Sequence, residues 1–329
     1  MSISRPHLPA TTPPSADSRV CAVVVTYHPG PEVPANVEAI LRQVDRVIVV
    51  DNEASGASRE RLAPLRDDPA VEWIENKENL GIASAFNQGV ARALADGFDW
   101  VATFDQDSLV PETYIADLLA AYDRHPDRER VAVVAPLYRD RYLGFVYSPA
   151  RGPVPESEDG EAPVPVPVTA SSGNLVSVAA LRALGGFRED FFMACVDFEF
   201  CLRCRRAGWL VLEICGVVLS HAMGKYQQRR WLGLKPRIND YDAARRYYQA
   251  RNLLILYANY LSFDPWWVIR DASRYGRDFI KLMLFCENRR EKLGAVLLGG
   301  WHAVTGRRGR WPRALKGRTL SRDDMAPAP

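Results

Sequence analysis

Short, continuous apolar runs alternate along the first half of the chain with stretches of helical periodicity. The runs are residues 20–26 (VCAVVVT), 46–50 (RVIVV), 71–74 and 100–104. Their β-branched content and lack of polar alternation predict parallel strands buried on both faces. Between them, residues 36–43 read as a helix. Asn79-Leu80-Gly81 opens another that extends to Ala95, with Ile82, Phe86, Val90 and Leu94 on one face. This alternation predicts an α/β fold, a mostly parallel, Rossmann-like sheet flanked by helices. Further on, residues 111–122 read as a helix with Pro in its first turn, and 131–134 as a strand. The Pro-, Gly- and acid-rich stretch 152–168 reads as a loop or lid-like insertion. Residues 175–184 look like a strand running into a helix. A helix over 197–207, closed by Gly208, precedes a strand over 209–219. From Asp240 onward the pattern is helical and aromatic, and there is no internal repeat.

Composition narrows this picture modestly. The 329 residues carry a net charge of +2, too small to argue for nucleic acid. Six scattered cysteines without a secretion signal suit reduced thiols in a cytosolic protein. Cys201 and Cys204 form a Cys-x-x-Cys with no second pair to complete a zinc site, so packing on one helix is expected. Residues 1–19, rich in Pro, Ser and Thr, predict a disordered tail rather than a signal peptide. No apolar run is long enough for a transmembrane helix. Residues 20–260 then form the main domain. Residues 261–329 form a helical C-terminal region where basic residues mix with Trp266, Trp267 and Trp301. That mixture fits a helix on an anionic membrane surface, or a solvated face packed on the main domain.

Polar motifs follow the apolar runs, and in an open α/β sheet these positions gather at one edge, where ligands bind. Thr26-Tyr27-His28 follows the first run, Asp51-Asn52 the second, Asn79 and Gly81 the third, and Asp105-Gln106-Asp107 the fourth. Asp51, Asn52 and the Asn79 loop offer the carboxylate and amides that a nucleotide base and ribose require. Asp105 and Asp107 offer two oxygen ligands for a hard divalent cation, Mg²⁺ or Mn²⁺, and through it a diphosphate. An isolated Asp-x-Asp is more often a solvated turn. Ser172, Gly173 and Asn174 form a small turn that would admit a sugar or diphosphate close to the backbone. Asp197 and Glu199 sit at a predicted helix N-terminus, as capping acids or as a base for a sugar hydroxyl. His221, at a strand end, is a candidate third metal ligand. Arg251 lies on a helix where it suits phosphate contact or a charged surface.

Taken in order, eight motifs resemble the family 2 glycosyltransferases of GT-A fold, in particular bacterial rhamnosyltransferases of polysaccharide synthesis such as O-antigen or capsule. They are VVVTYH (23–28), VVDN (49–52), NKENLGIASAFNQG (76–89), FDQDS (104–108), SSGNL (171–175), VDFEFCLR (196–203), SHAMG (220–224) and RYYQARN (246–252). The resemblance spans residues 20–260. It implies an inverting, metal-dependent sugar transfer with Asp197 as catalytic base and Asp105, Asp107 and His221 as metal ligands. Thr26, Tyr27, Asp51, Asn52, Asn79, Gly81, Asn87, Asp105 and Gln106 would bind the donor. Ser172, Gly173, Asn174, Glu199, Arg251 and Asn252 would face acceptor or diphosphate. Relatives often carry an additional Asp three residues before the base, where this chain has Ala194, so acceptor identity transfers poorly. The implied donor is dTDP-L-rhamnose, with galactofuranose or another hexose as the alternative. A catalytically silent nucleotide-sugar binder is the reading from another class. The first strand is not followed by a Gly-rich, basic phosphate loop, which counts against a nucleotidyltransferase. The implied acceptor is a saccharide, polyprenyl-diphosphate-linked, and the expected location is cytoplasmic, peripheral on the inner face of the plasma membrane. A homo-oligomer is left open.

Overall fold

The computed structural model describes residues 18–141, 144–155, 162–221, 226–228 and 237–311. The expected tail (residues 1–19) therefore lies outside the described residues except for Ser18 and Arg19. The chain divides into two compact units, Met1–Arg188 with Val196–Ala222, and Glu189–Cys195 with Met223–Pro329.

The first unit is a sheet with helices packed on it. Its elements in chain order are β1 (Val20–Thr26), α1 (Val33–Leu41), β2 (Arg46–Asn52), α2 (Gly56–Leu62), β3 (Val71–Asn76), α3 (Ile82–Ala95) and β4 (Trp100–Asp105). There follow α4 (Tyr114–Asp123), β5 (Val131–Asp140), β6 (Val146–Ser148), β7 (Gly152–Pro153), β8 (Val164–Pro165), β9 (Asn174–Ser177), α5 (Val178–Leu184), α6 (Val196–Arg206) and β10 (Leu210–His221). The strand order is β3-β2-β1-β4-β9-β5-β10-β8, with β6 and β7 extending from β5. Strands β3, β2, β1 and β4 are parallel to one another, as the uninterrupted apolar runs predict. All seven residues of β1 are buried. Helix α3 lies close on this strand: a Cβ at Gly89 would stand 2.4 Å from a methyl of Val23.

β9 runs antiparallel between β4 and β5, within the mostly parallel sheet expected. Two features depart from the sequence expectation. β5 continues through Pro136 to Asp140, where the sequence suggests an end at Val134. Pro136 lacks a donor, and the partner strand β10 slips from Ile214 to Val218 just beyond it, a bulge that accommodates the missing bond. α1 begins at Val33, because Pro34 occupies its first turn, where no N–H partner is needed. Within 152–168, β7 and β8 add short edge strands, and residues 156–161 lie outside the described set. Cys201 and Cys204 are buried on α6 as free thiols.

The second unit is helical. It holds the hairpin β11 (Tyr226–Gln228) and β12 (Arg237–Asn239), then α7 (Ala243–Tyr260), α8 (Pro265–Phe285) and α9 (Arg289–Val304). Asp242 and Asp264 cap α7 and α8 by accepting the backbone N–H of Arg245 and Trp267. α9 packs tightly on α7: a Cβ at Gly299 would meet the Tyr247 carbonyl at 2.5 Å. Several buried polar groups in this unit pair with one another. Tyr247 Oη lies 2.7 Å from His302 Nδ1, Tyr257 Oη donates to Asp271 at 2.8 Å, and Lys292 pairs with Asp240.

Candidate active site at the carboxyl edge of the sheet

Parallel pairing brings the carboxyl ends of β1, β2, β3 and β4 to one level. Thr26 is in register with Asp51, Val25 with Asp105, and Asn52 with Asn76. The polar motifs read from the sequence therefore share an edge because of strand direction. On the far side of β4, β5 and β10 end in register at Asp140 and His221. Leu109 bridges to Ser220, so the chain just past Asp107 runs beside the end of β10. His221 closes that strand, and its side chain lies outside the described residues.

Asp105 to Ser108 forms a turn in which the Ser108 N–H donates to the Asp105 carbonyl at 3.2 Å. Asp105, Gln106 and Asp107 stay half-buried at its crest. The turn is held from below. Ser172 Oγ accepts the Asp105 N–H at 3.1 Å and lies 2.5 Å from Ser108 Oγ. Asn36 donates to the Gln106 carbonyl at 2.9 Å. The Gln106 side chain exchanges two hydrogen bonds with the backbone of Tyr27, at 2.9 and 3.2 Å. Gln106 thus ties the β4 turn to the β1 turn rather than pointing out toward a donor.

Asp197 sits in the first turn of α6, and the Phe198 N–H donates to its carboxylate at 2.9 Å. Burial, with a further push from the negative charge of Asp105, raises its pKa from 3.8 to about 6. Backbone N–H groups of Phe198, Asp197 and Ser171 oppose that shift. A carboxyl whose pKa is raised toward neutral by burial and by a neighbouring carboxylate has the environment of an acid–base group. Asp105 and Asp107 suit a small hard cation, which binds through one or two carboxylates and completes its shell with water and substrate phosphate. Among the described residues no third ligating side chain converges with them. A groove of about 510 Å³ beside Leu109, lined by Tyr114, Asp117 and Arg139, includes none of these three carboxylates.

At the β2 end, Asp51 is fully buried. Its oxygens accept Ser58 Oγ at 2.7 Å and Thr26 Oγ1 at 3.3 Å. Asn52 braces the next loop. It accepts from the Leu80 N–H at 2.9 Å and donates to Asn79 Oδ1 at 3.1 Å and to the Gly81 carbonyl at 3.3 Å. Tyr27 and Leu80 are the exposed apolar surfaces of this end.

Several other residues expected at the ligand surface are instead engaged in hydrogen bonds within their own unit. The Asn87 amide closes a two-way pair with the Phe187 backbone at 2.7 and 2.8 Å. Ser172, Gly173 and Asn174 are buried because β9 enters the sheet between β4 and β5. Glu199 is buried and bonded to Arg203 one turn on, whose guanidinium also binds the carbonyls of Leu184 and Gly186. Arg251 and Asn252, in the second unit, are fully buried. Arg251 donates to the carbonyls of Asp190, Phe191 and Gly309, and Asn252 to those of Phe191, Met193 and Ala194. They hold a segment in which Phe192, Ala194 and Cys195 all have positive φ, a conformation that needs such external bonding.

Two contributors escape the sequence reading. Tyr138 Oη lies 2.9 Å from the Ser172 carbonyl and 3.0 Å from that of Ala170, pinning the 170–174 turn. Arg141 donates to the Asp107 carbonyl, and its Nε is buried without a hydrogen-bond partner. Both follow Pro136, beyond the point where the apolar pattern suggests that β5 ends.

Comparison with known proteins agrees with this architecture. Residues 21–161 match the family model described as glycosyl transferase family 2. The chain is 31% identical over 251 residues to the dTDP-rhamnosyl transferase RfbF of Shigella flexneri, covering 73% of this chain and 80% of that one. It is 29% identical to the galactofuranosyltransferase GlfT1 of Mycobacterium tuberculosis, over 57% of this chain and 65% of that one. It is 28% identical to the N-acetylglucosaminyl-diphospho-decaprenol L-rhamnosyltransferase of the same species, over 60% and 74%. The solved mannosyltransferase PcManGT of Pyrobaculum calidifontis, in complex with GDP-Man and Mn²⁺, superposes with a TM-score of 0.53 at 18% identity, covering 90% of each chain. With its motifs in order along the sheet edge and this similarity across most of its length, the chain belongs to glycosyltransferase family 2.

Proposed function

We propose that this glycosyltransferase moves L-rhamnose from dTDP-L-rhamnose to a lipid-linked saccharide, with inversion at the anomeric carbon. The observation that carries the reading is the Asp197 carboxyl, raised to about 6 and facing the charge of Asp105 at the carboxyl edge of β4. Above pH 6 Asp197 is mostly ionised and accepts the proton of the acceptor hydroxyl. The new bond joins that oxygen to the anomeric carbon, while the bond from carbon to diphosphate oxygen breaks on the opposite face. A positioned base of this kind supplies about 10²–10⁴-fold in rate. Asp105, Asp107 and, on the resemblance, His221 would hold a divalent cation, Mg²⁺ or Mn²⁺, which supplies neutralisation of the diphosphate charge. Gln106, Ser172 and Asn36 keep the loop bearing these carboxylates in one conformation. Tyr27, Asn79 and Leu80 offer the surface for the nucleoside, with Thr26, Asp51, Asn52 and Gly81 beneath it.

The donor assignment is supported by similarity to two rhamnosyltransferases, one named for dTDP and one for a decaprenol-linked acceptor. The similarity to GlfT1 favours galactofuranose as a second reading. A lipid-linked acceptor would be met peripherally, at the inner face of the plasma membrane; among the described residues no helix is long and apolar enough to cross a membrane. Radiolabelled dTDP-L-rhamnose and UDP-galactofuranose, each offered with Mn²⁺ and a polyprenyl-diphosphate saccharide, test the assignment. Label should move to lipid from the rhamnosyl donor alone. Transfer from UDP-galactofuranose alone would replace the reading, and transfer from neither would refute both.

A further inference from the structure

The outward face of α8 carries two parallel rows. Trp266, Ile269, Ile280 and Leu284 are 80%, 54%, 58% and 54% exposed. At about 100° per residue they fall within a sector of about 60°. Arg270, Arg274, Arg277 and Lys281 occupy the adjoining sector of about the same width. The buried residues Trp267, Val268, Asp271 and Leu282 lie on the opposite side and anchor the helix to its own unit. Ser273, within the apolar sector, returns its hydroxyl to the Ile269 carbonyl at 2.7 Å, so the stripe is not broken by an unbonded polar group. The helix has only two carboxylates. Asp271 is buried against Tyr257, and Asp278 pairs with Lys281 at 3.1 Å.

We propose that this face of α8 docks the protein on an anionic lipid bilayer, with the helix lying in the plane of the interface. The argument is charge complementarity joined to geometry. Apolar residues at both ends of the helix lie beside a cationic row, with Trp266 at its start, and the one part-exposed acid, Asp278, is paired with Lys281. A bilayer surface offers acyl chains beside phosphates in that same side-by-side order. α9 provides the contrast within the same unit. It exposes Leu297, Trp301 and Val304, but carries no Lys or Arg from Leu293 to Val304, and its one histidine there, His302, is buried. The inference rests on α8 alone. It adds to the proposed reading the surface by which a lipid-linked acceptor would be approached.

The test is co-sedimentation of the full chain, without nucleotide-sugar, on vesicles of phosphatidylcholine with one quarter phosphatidylglycerol, and on phosphatidylcholine alone. Binding should favour the anionic vesicles and weaken in 0.5 M NaCl. Each surface cation contributes about fivefold, so Arg270→Glu with Arg277→Glu should lower partitioning by at least about 25-fold. Trp266→Ser with Ile280→Ser should lower it more than tenfold, and Leu297→Ser with Val304→Ser should leave it unchanged. All six positions are exposed, and circular dichroism and thermal melts confirm that the variants fold. No binding of the wild type, equal binding to neutral vesicles, or equal loss in the α9 variant each overturns the proposal. Concentration-dependent dimers that the α8 substitutions abolish, with no vesicle binding, would make a second copy the occupant instead. Sugar transfer to a water-soluble acceptor is read separately, so failure here is distinguishable from failure of the proposed activity.

Discussion

Replacing Asp197 by Asn should make the protein more stable and nearly inactive, and the two effects should share one pH dependence. The carboxyl has a pKa near 6 in the fold against 3.8 for the free group. Between these values the folded chain keeps a proton that the unfolded chain has released, so stability falls as pH rises. The loss is complete above about pH 6 and absent below about pH 3.8. A shift of about two units corresponds to about 3 kcal/mol. Asp197 retains partial exposure, and solvent screening lowers this to about 1–2 kcal/mol. Asn carries no charge, so the variant should recover that amount at pH 7, raising the melting temperature by about 2–8 °C for a unit of this size. At pH 4 the two proteins should melt alike. Turnover at pH 7 should fall about 10²–10⁴-fold. Wild-type activity should drop about tenfold from pH 7 to pH 5, as the ionised fraction of a pKa 6 group does. Paired calorimetric scans at pH 4 and pH 7 with pH–rate profiles test this. A melting temperature unchanged or lowered at pH 7, or normal turnover in the variant, would refute the reasoning.

Three further outcomes are expected. Mn²⁺ should narrow the pH 7 melting gap between wild type and Asp197→Asn, since positive charge at Asp105 offsets one cause of the raised pKa; Asp107→Asn should blunt this response and chelation should abolish transfer. Gly173→Ala should cost about 2–4 kcal/mol in urea denaturation, from left-handed backbone (φ +83°) and a Cβ 2.3 Å from Tyr114 Oη; combined with Tyr114→Phe, the loss should be less than additive. Arg251→Lys should destabilise by about 2–4 kcal/mol, because an ammonium cannot reach the carbonyls of Asp190, Phe191 and Gly309 together. Normal stability with a raised KM would instead return Arg251 to substrate contact.

Much of the edge was legible because strand direction and residue type are local properties. The runs before Asp51 and Asp105 are buried on both faces, and such runs pair in parallel and end together. Asp197 was legible as an acid at the start of a helix, but its raised pKa required the enclosure around it and the charge of Asp105 across a sequence gap of more than ninety residues. Gln106, Asn87 and Ser172 were read as ligand contacts because they are polar and sit in motifs. Their partners are the backbones of Tyr27, Phe187 and Asp105, and nothing in the local pattern names those. Arg251 is the sharpest case, since a cation on a helix reads as surface until its guanidinium is matched to the carbonyls of Asp190, Phe191 and Gly309.

The sequence by itself determined the strands, their shared edge and the three carboxylates brought toward it, because apolar periodicity dictates which faces are buried and where each strand stops. Only the tertiary structure decided which polar residues face open space and which hold the others in place. That division depends on hydrogen-bond partners distant in the chain. It leaves Asp105, Asp107 and Asp197 as the proposed chemistry, and gives the Ser172 turn, Asn87 and the Arg251–Asn252 pair hydrogen-bond partners within their own units.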